Sequence, residues 1–264
     1  MNINISPSRT SVSRRGFLGG ILAMGSAAAA MGTLGNLMTS TSAEAQEAAA
    51  GRFPFKPVAA ATDHTIHVPE GYSWKPVAKW GQPLFSNVPD VDPAKGVSVE
   101  NSDKVFGENT DGMELFMVGA HQLIAVNHEY VNPETNLPHA EKGNPKTADD
   151  VKILQNMQGV TVMEVAEGTE GWEIVLDSPF NRRIHHNTPM KLSGPAAGSD
   201  LVKTAADPNG IDCLGTFNNC GAGRTPWGTY LTCEENFNGY FGTADAAFKL
   251  PDDYKRYGIV AETR

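Results

Sequence analysis

The sequence predicts an all-β fold, a β-propeller built from short repeated strands. Three observations carry it. Segments rich in Val, Ile, Leu, Thr and aromatics recur at close spacing between turn residues. The 27 Gly and 17 Pro are spread through 264 residues without heptads or long amphipathic helices, which leaves a sandwich, a barrel or a propeller. An internal echo favours the third. Leu123-Ile124-Ala125-Val126-Asn127-His128-Glu129 can be laid on Gly228-Thr229-Tyr230-Leu231-Thr232-Cys233-Glu234, each a strand that ends in a glutamate. Strand units repeated with a functional residue at the same end are how a propeller lines its channel.

The chain opens with Ser13-Arg14-Arg15-Gly16-Phe17-Leu18, a twin-arginine signal, followed by an uncharged Ala/Gly-rich run and a small-residue cleavage site at Ala43-Glu44-Ala45. The run is long enough to span a bilayer. Its Ala, Gly, Ser and Thr content nevertheless reads as a removed signal over residues 1–45, not a retained anchor. The expectations are use of the twin-arginine export machinery, a periplasmic or secreted location and no stable membrane insertion. Such signals serve proteins exported already folded, often with a cofactor in place. Residues 46–62 read as a linker or docking arm with Phe53 and Phe55 as anchors, and residues 63–264 as the partial propeller domain.

Strands are expected at Thr65–Val68, Ser73–Lys79, Leu115–Val118, Leu123–Val126, Thr161–Val165, Trp172–Leu176, Gly215–Phe217, Gly228–Cys233 and Gly258–Ala261, with one helix at Ala148–Met157. The stretch Tyr257–Arg264 reads as a strand just begun. A half ring would expose raw strand edges, so the sequence is expected to be the N-terminal blades of a longer propeller.

Loss of Arg9, Arg14, Arg15 and Glu44 with the signal takes the net charge from −9 to −11. A surface so acidic repels nucleic acid and anionic lipid, and it opposes an anionic substrate unless bound cations reverse the field. Its surplus carboxylates are potential oxygen ligands for calcium.

Three cysteines follow the signal: Cys213, Cys220 and Cys233. If the strands around Phe217 and Tyr230 form a hairpin, Cys213 and Cys233 lie symmetrically about Gly223 and could bridge in an oxidising compartment. Register could equally part them. Cys220 is then the odd thiol, on a Gly-rich turn. A free cysteine is ordinarily a small buried hydrophobe, but Gly, Asn and Thr surround this one. The adjacent carboxylates Glu234 and Glu235 end the next strand, and Glu129 ends the strand before Tyr130. A charged residue at a strand end is ordinarily just the chain reaching water. The same pattern twice beside a lone thiol points to ligands, soft sulfur and hard oxygen together suiting a transition metal and a harder cation. One geometric difficulty stands. A six-residue strand spans about 20 Å, so Cys220 on a tight turn could not share an ion with Glu234. His128, His185 and His186 match no zinc spacing. Asp111, in Asn109-Thr110-Asp111-Gly112, reads as an Asx turn ahead of a calcium ligand. Arg182, Arg183, Lys191 and Arg224 are the nearby cations able to bind a phosphate oxygen. There is no GxSxG elbow, P-loop or dinucleotide fingerprint.

Taken together, Asn181-Arg182-Arg183-Ile184, Asn187-Thr188-Pro189-Met190, Ser193-Gly194-Pro195-Ala196-Ala197-Gly198, Asn218 to Phe237, Asn127-His128-Glu129-Tyr130 and the twin-arginine leader resemble the PhoX family of bacterial alkaline phosphatases. The resemblance runs from about residue 60 to the end. It implies a six-bladed β-propeller that hydrolyses small-molecule phosphomonoesters at a cluster of iron and calcium ions. It also implies a full length roughly twice this one, with further acidic ligands and a phosphate-binding arginine in the remainder, so that this chain alone would be inactive. Cys220 matches the family's iron-binding cysteine. Glu129 and one of Glu234 or Glu235 fall to the metal cluster, and Arg224 is the candidate substrate contact. The rival expectations are a non-catalytic calcium-stabilised propeller that binds a partner, and a propeller hydrolase of another class, such as a lactonase.

Overall fold

The computed structural model describes residues 55–243, 245 and 247–260. The signal peptide, its cleavage site and Phe53 lie outside the described residues. The chain divides into two units at Trp74 and Lys75. In the first, residues 55–74 form turns without a strand, and the Phe55 ring packs edge-on against Tyr72 at 5.6 Å. The expected strand at Thr65–Val68 is absent there.

The second unit is mainly antiparallel β. β1 (Thr110–Val118) turns through Gly119-Ala120 into β2 (His121–His128), which pairs with β3 (Gly159–Gly168). β4 (Gly171–Ile174) continues the sheet beside one end of β3, and β5 (Arg182–Ile184) pairs with the other. Two further ladders stand apart: β6 (Pro189–Lys191) with β7 (Asp212–Leu214), and β8 (Asn219–Arg224) with β9 (Tyr230–Glu234). Short helices complete it, α1 (Pro133–Asn136), α2 (Ala148–Asn156) and α3 (Asp252–Arg256). Among the described residues the sheets are open, as part of a propeller would present, and no helix is long and apolar enough to cross a membrane.

β2 and β3 are buried on both faces because both faces carry apolar side chains. On one face Val126, Met163, Val165 and Ile174 pack with Leu84 and Phe106. On the other, Ala125, Val160 and Val162 meet Phe116, Ile184 and Tyr230, which docks the β8–β9 ladder against the sheet. α2 starts at a capping box. Thr147 Oγ1 accepts from the Asp150 N–H, and the Asp150 carboxylate accepts from the Thr147 N–H, so two orphan donors are satisfied reciprocally. Beyond it Gly159 has φ +94°, and a Cβ there would sit 2.1 Å from Ile184 O, so glycine alone lets β3 start against the end of β5.

Several sequence expectations need correction. Ser73–Lys79 and Gly258–Val260 form no strand, and α1 and α3 were not anticipated. Gly215–Phe217 is not a strand because other groups take up its polar atoms. The Gly215 N–H donates to Thr188 O, while Thr216 Oγ1 and the Phe217 N–H donate to Glu234 Oε1. The partner of β9 is therefore β8. Cys213 pairs with Met190 in a different ladder, Cys233 lies in β9, and both thiols are free.

Candidate metal centre

The two hairpins β1–β2 and β8–β9 are built alike around one irregularity. In β1–β2, Thr110 faces His128 and Met113 faces Val126; in β8–β9, Asn219 faces Glu234 and Ala222 faces Thr232. Each first strand thus holds three steps against two, a bulge of one extra residue. Bulges bend the strand and re-aim a side chain. The bulged residues are Asp111-Gly112 and Cys220-Gly221, so Asp111 and Cys220 occupy equivalent positions.

The glutamates obey the same equivalence. Glu129 follows β2, and its N–H donates to Asn109 O at 3.0 Å; Glu235 follows β9, and its N–H donates to Asn218 O at 3.0 Å. Asn109 and Asn218 each precede their bulged strand with left-handed φ values of 45° and 48°, a conformation asparagine tolerates better than most residues. The repeat is therefore Asn-x-Asp-Gly with Glu129, and Asn-x-Cys-Gly with Glu235. The sequence echo was real but slipped by one residue, since Glu234 is the counterpart of His128.

Docking the hairpins brings the ligand-type side chains together. Asp111, Glu129 and Cys220, all half-buried, offer donor atoms within 4.8 Å of one another. Glu235 completes the group, because its carboxylate shares a hydrogen bond with Glu129. Burial, then the charges of Asp111 and Glu235, then that hydrogen bond hold the Glu129 carboxyl above its ordinary range. The Cys220 thiol is pushed up to about 12, first by its hydrogen bond to Asp111, then by desolvation and the charges of Asp111, Glu235 and Glu129. Both shifts have one physical meaning. Four acidic groups are crowded together, and protons are retained to relieve the repulsion. A cation does the same more effectively. The donor atoms of Asp111, Glu129 and Cys220 lie no further apart than two donors each about 2.0–2.4 Å from one ion can. Carboxylate oxygen and thiolate sulfur are the donor mixture for a transition ion with a harder neighbour, and the residues fit such a pair.

The difficulty over strand length is resolved by register. Cys220 sits at the start of β8, not on the turn, which runs from Thr225 to Thr229 with Gly228 N–H donating to Thr225 O. Antiparallel pairing returns the end of β9 to the start of β8. Glu234 nevertheless faces elsewhere. Its Oε1 accepts from Thr216 Oγ1 at 2.7 Å, and it lines a cleft of about 830 Å³ bounded by Phe116, Val162 and Met190. Asp111, read from sequence as a turn residue, is the ligand-type group that sequence reasoning passed over. Its signal was the repeated Asn-x-x-Gly spacing shared with Cys220.

Arg224 is not brought to the cluster. It lies four residues and about 13 Å along β8 from Cys220, and its guanidinium donates to Leu115 O at 3.3 Å. His128 is a core residue. It accepts at Nε2 from Thr161 Oγ1 and donates through Nδ1 to Glu108 O, and burial followed by the charge of Arg183 keeps it neutral. Arg183 itself is buried, donating to Thr161 Oγ1 and to the carbonyls of Asn156 and Gln158. Neither residue is available to a ligand.

Comparison with known proteins identifies the family. The family model described as alkaline phosphatase PhoX matches residues 53–264. A solved structure described as Pseudomonas fluorescens PhoX in complex with vanadate, a transition state analogue, is similar at 44% identity with a TM-score of 0.74. That match covers 78% of this chain and 36% of the other, so the chain spans little more than a third of its solved relative. A search of curated proteins gave no match.

Proposed function

The chain belongs to the PhoX alkaline phosphatase family, and from that premise we propose that it supplies part of the metal centre of an exported phosphomonoesterase. The observation that carries the reading is the convergence of Asp111, Glu129 and Cys220 at the meeting of two equivalent bulges. Asp111, Glu129, Glu235 and the Cys220 thiolate would hold iron and calcium ions. Bound there, these ions would neutralise the phosphate and stabilise charge on its equatorial oxygens. Vanadate, the transition state analogue bound to that relative, supports transfer at a phosphorus centre and a small-molecule ester as substrate.

The chain's own contribution is positional and electrostatic. It sets four anionic donors on two braced hairpins and gives up the protons held by Glu129 and Cys220 as cations enter. Arg224 donates to Leu115 O, so in this part of the protein the positive potential that an anionic ester needs would come from bound ions. The twin-arginine leader supports export with the metals already in place, and the open antiparallel sheets support a six-bladed ring.

The test is p-nitrophenyl phosphate turnover by the full reading frame loaded with iron and calcium, beside elemental analysis. Turnover that Cys220→Ser lowers at least 100-fold is expected. Calcium without iron, no turnover and an unaffected Cys220→Ser variant would overturn the reading in favour of a non-catalytic binding module.

A further inference from the structure

We propose that Asn127 positions Cys220 in the metal centre, with Gly112 providing the space in which it does so; the inference rests on the metal-centre reading above. Asn127 is fully buried on the face of β2 that meets the β8–β9 ladder. Its Nδ2 donates to Cys220 O at 2.7 Å and to Gly221 O at 3.5 Å. Its Oδ1 accepts from Tyr230 OH at 2.9 Å and Thr232 Oγ1 at 3.0 Å. Both donors and both lone pairs of one amide are in use, and they reach both strands of the second hairpin.

The need for such a residue follows from the bulge. Cys220 and Gly221 lie where the β8–β9 register breaks, and bulged residues lose ladder partners. Asn127 takes up their carbonyls instead. The carbonyl it holds belongs to the residue that carries the thiol, so fixing one fixes the direction of the other. The two side chains closest in size cannot do both jobs. Aspartate has no donor for the carbonyls, and leucine, of similar volume, has neither donor nor acceptor.

Gly112 completes the clamp from β1. A Cβ at this position would lie 2.6 Å from Cys220 O, 2.6 Å from Ala222 Cβ and 2.8 Å from Ala222 N. These are backbone and short side-chain atoms that cannot swing away. The single proton of the Tyr230 hydroxyl is shared between Gly112 O and Asn127 Oδ1, each at 2.9 Å. The close approach of the two bulges, and hence of Asp111 to Cys220, requires a residue without a side chain.

The experiment titrates the protein of the full reading frame with Co²⁺ and follows the near-ultraviolet thiolate-to-cobalt absorption, which reports sulfur ligation independently of turnover. Asn127→Asp is expected to bind Co²⁺ about 10- to 100-fold more weakly and to lose most of that band while its far-ultraviolet circular dichroism is retained. The added negative charge would by itself attract a cation, so a loss reports geometry. Gly112→Ala is expected to behave likewise. Tyr230→Phe removes one hydroxyl and keeps the ring's packing. It carries the test if the other variants fail to fold, with about 5-fold weaker binding expected. A folded Asn127→Asp with wild-type band and affinity, or Tyr230→Phe unchanged where Asn127→Asp is unfolded, overturns the proposal. A wild-type chain without the band overturns the metal-centre reading and this inference together, so the two failures are distinguishable.

Discussion

In the proposed centre, Cys220 is where a proton and a metal ion would compete for one sulfur. Its thiol donates to Asp111 and holds its proton up to about 12, so only an ion strong enough to displace that proton will bind through sulfur near neutral pH. Cys220→Ser should therefore lose at least 10-fold in bound iron, by elemental analysis, while its circular dichroism stays that of the parent. An undiminished iron content would exclude sulfur as a ligand. His185 gives an independent test of the same electrostatics in a buried setting. Burial first, and then the charge of Arg183, hold it at about 4 against an ordinary 6.5. The folded chain thus binds fewer protons than the unfolded chain within this window. Its contribution to stability is complete above pH 6.5 and is lost as pH falls through about 4. His185 Nδ1 accepts from the Asn187 N–H at 3.2 Å, a contact that an asparagine oxygen can take over. His185→Asn should flatten the fall in Tm between pH 7 and pH 4.5, and an unchanged slope would assign the acid sensitivity elsewhere.

At the scale of elements, the equivalence of the two bulged hairpins makes Asp111 and Cys220 interchangeable in position though not in chemistry. Asp111→Cys and Cys220→Asp singly should each weaken Co²⁺ binding by roughly 10-fold or more. The double exchange, which restores one sulfur and one carboxylate, should bind more tightly than either. A double variant no better than the singles would show that the hairpins are alike in backbone only. Elsewhere the Thr147 cap is expected to be worth about 1 kcal/mol, read as a lower Tm in Thr147→Ala. The same elements show what could be seen in the sequence. The second half of β1, β2 to β4, β9 and α2 were legible, the strands as runs of apolar, β-branched and aromatic residues between turns and the helix with its cap. β5, β6 and β7 have three residues each, too few to display a period of two. Cys220 stood out as a lone thiol among glycines, but Asp111 did not, since Asn-Thr-Asp-Gly satisfies a turn equally well. The choice between Glu234 and Glu235 was not in the local sequence at all. Adjacent strand residues point to opposite faces, and parity is set by a register fixed only when β9 pairs with β8 rather than with Gly215–Phe217.

For the whole molecule, the proposed centre would convert a local repulsion into a global dependence on metal. Without cations, Glu129 is held above its ordinary carboxyl range by burial, Asp111 and Glu235, so the folded chain binds protons more tightly there than the unfolded chain. Stability is then highest at low pH as far as this group is concerned, and is lost as pH rises from 4.5 through the raised value. The sign is opposite to that of His185, and the two can be separated by metal. A cation that binds the folded chain alone adds about 2.7 kcal/mol at 100 times its dissociation constant. For a domain of this size each kcal/mol is worth about 2–4 °C, so chelation at pH 8 should lower Tm by about 5–11 °C. At pH 4.5, where protons already relieve the cluster and compete with the ion, the same chelator should change Tm far less. Glu129→Gln, which removes the titrating charge, should shrink the pH 8 effect and raise the Tm of the metal-free chain. A chelation effect equal at both pH values, or a Glu129→Gln variant whose metal-free Tm falls, would place the metal-linked stability somewhere other than these four side chains.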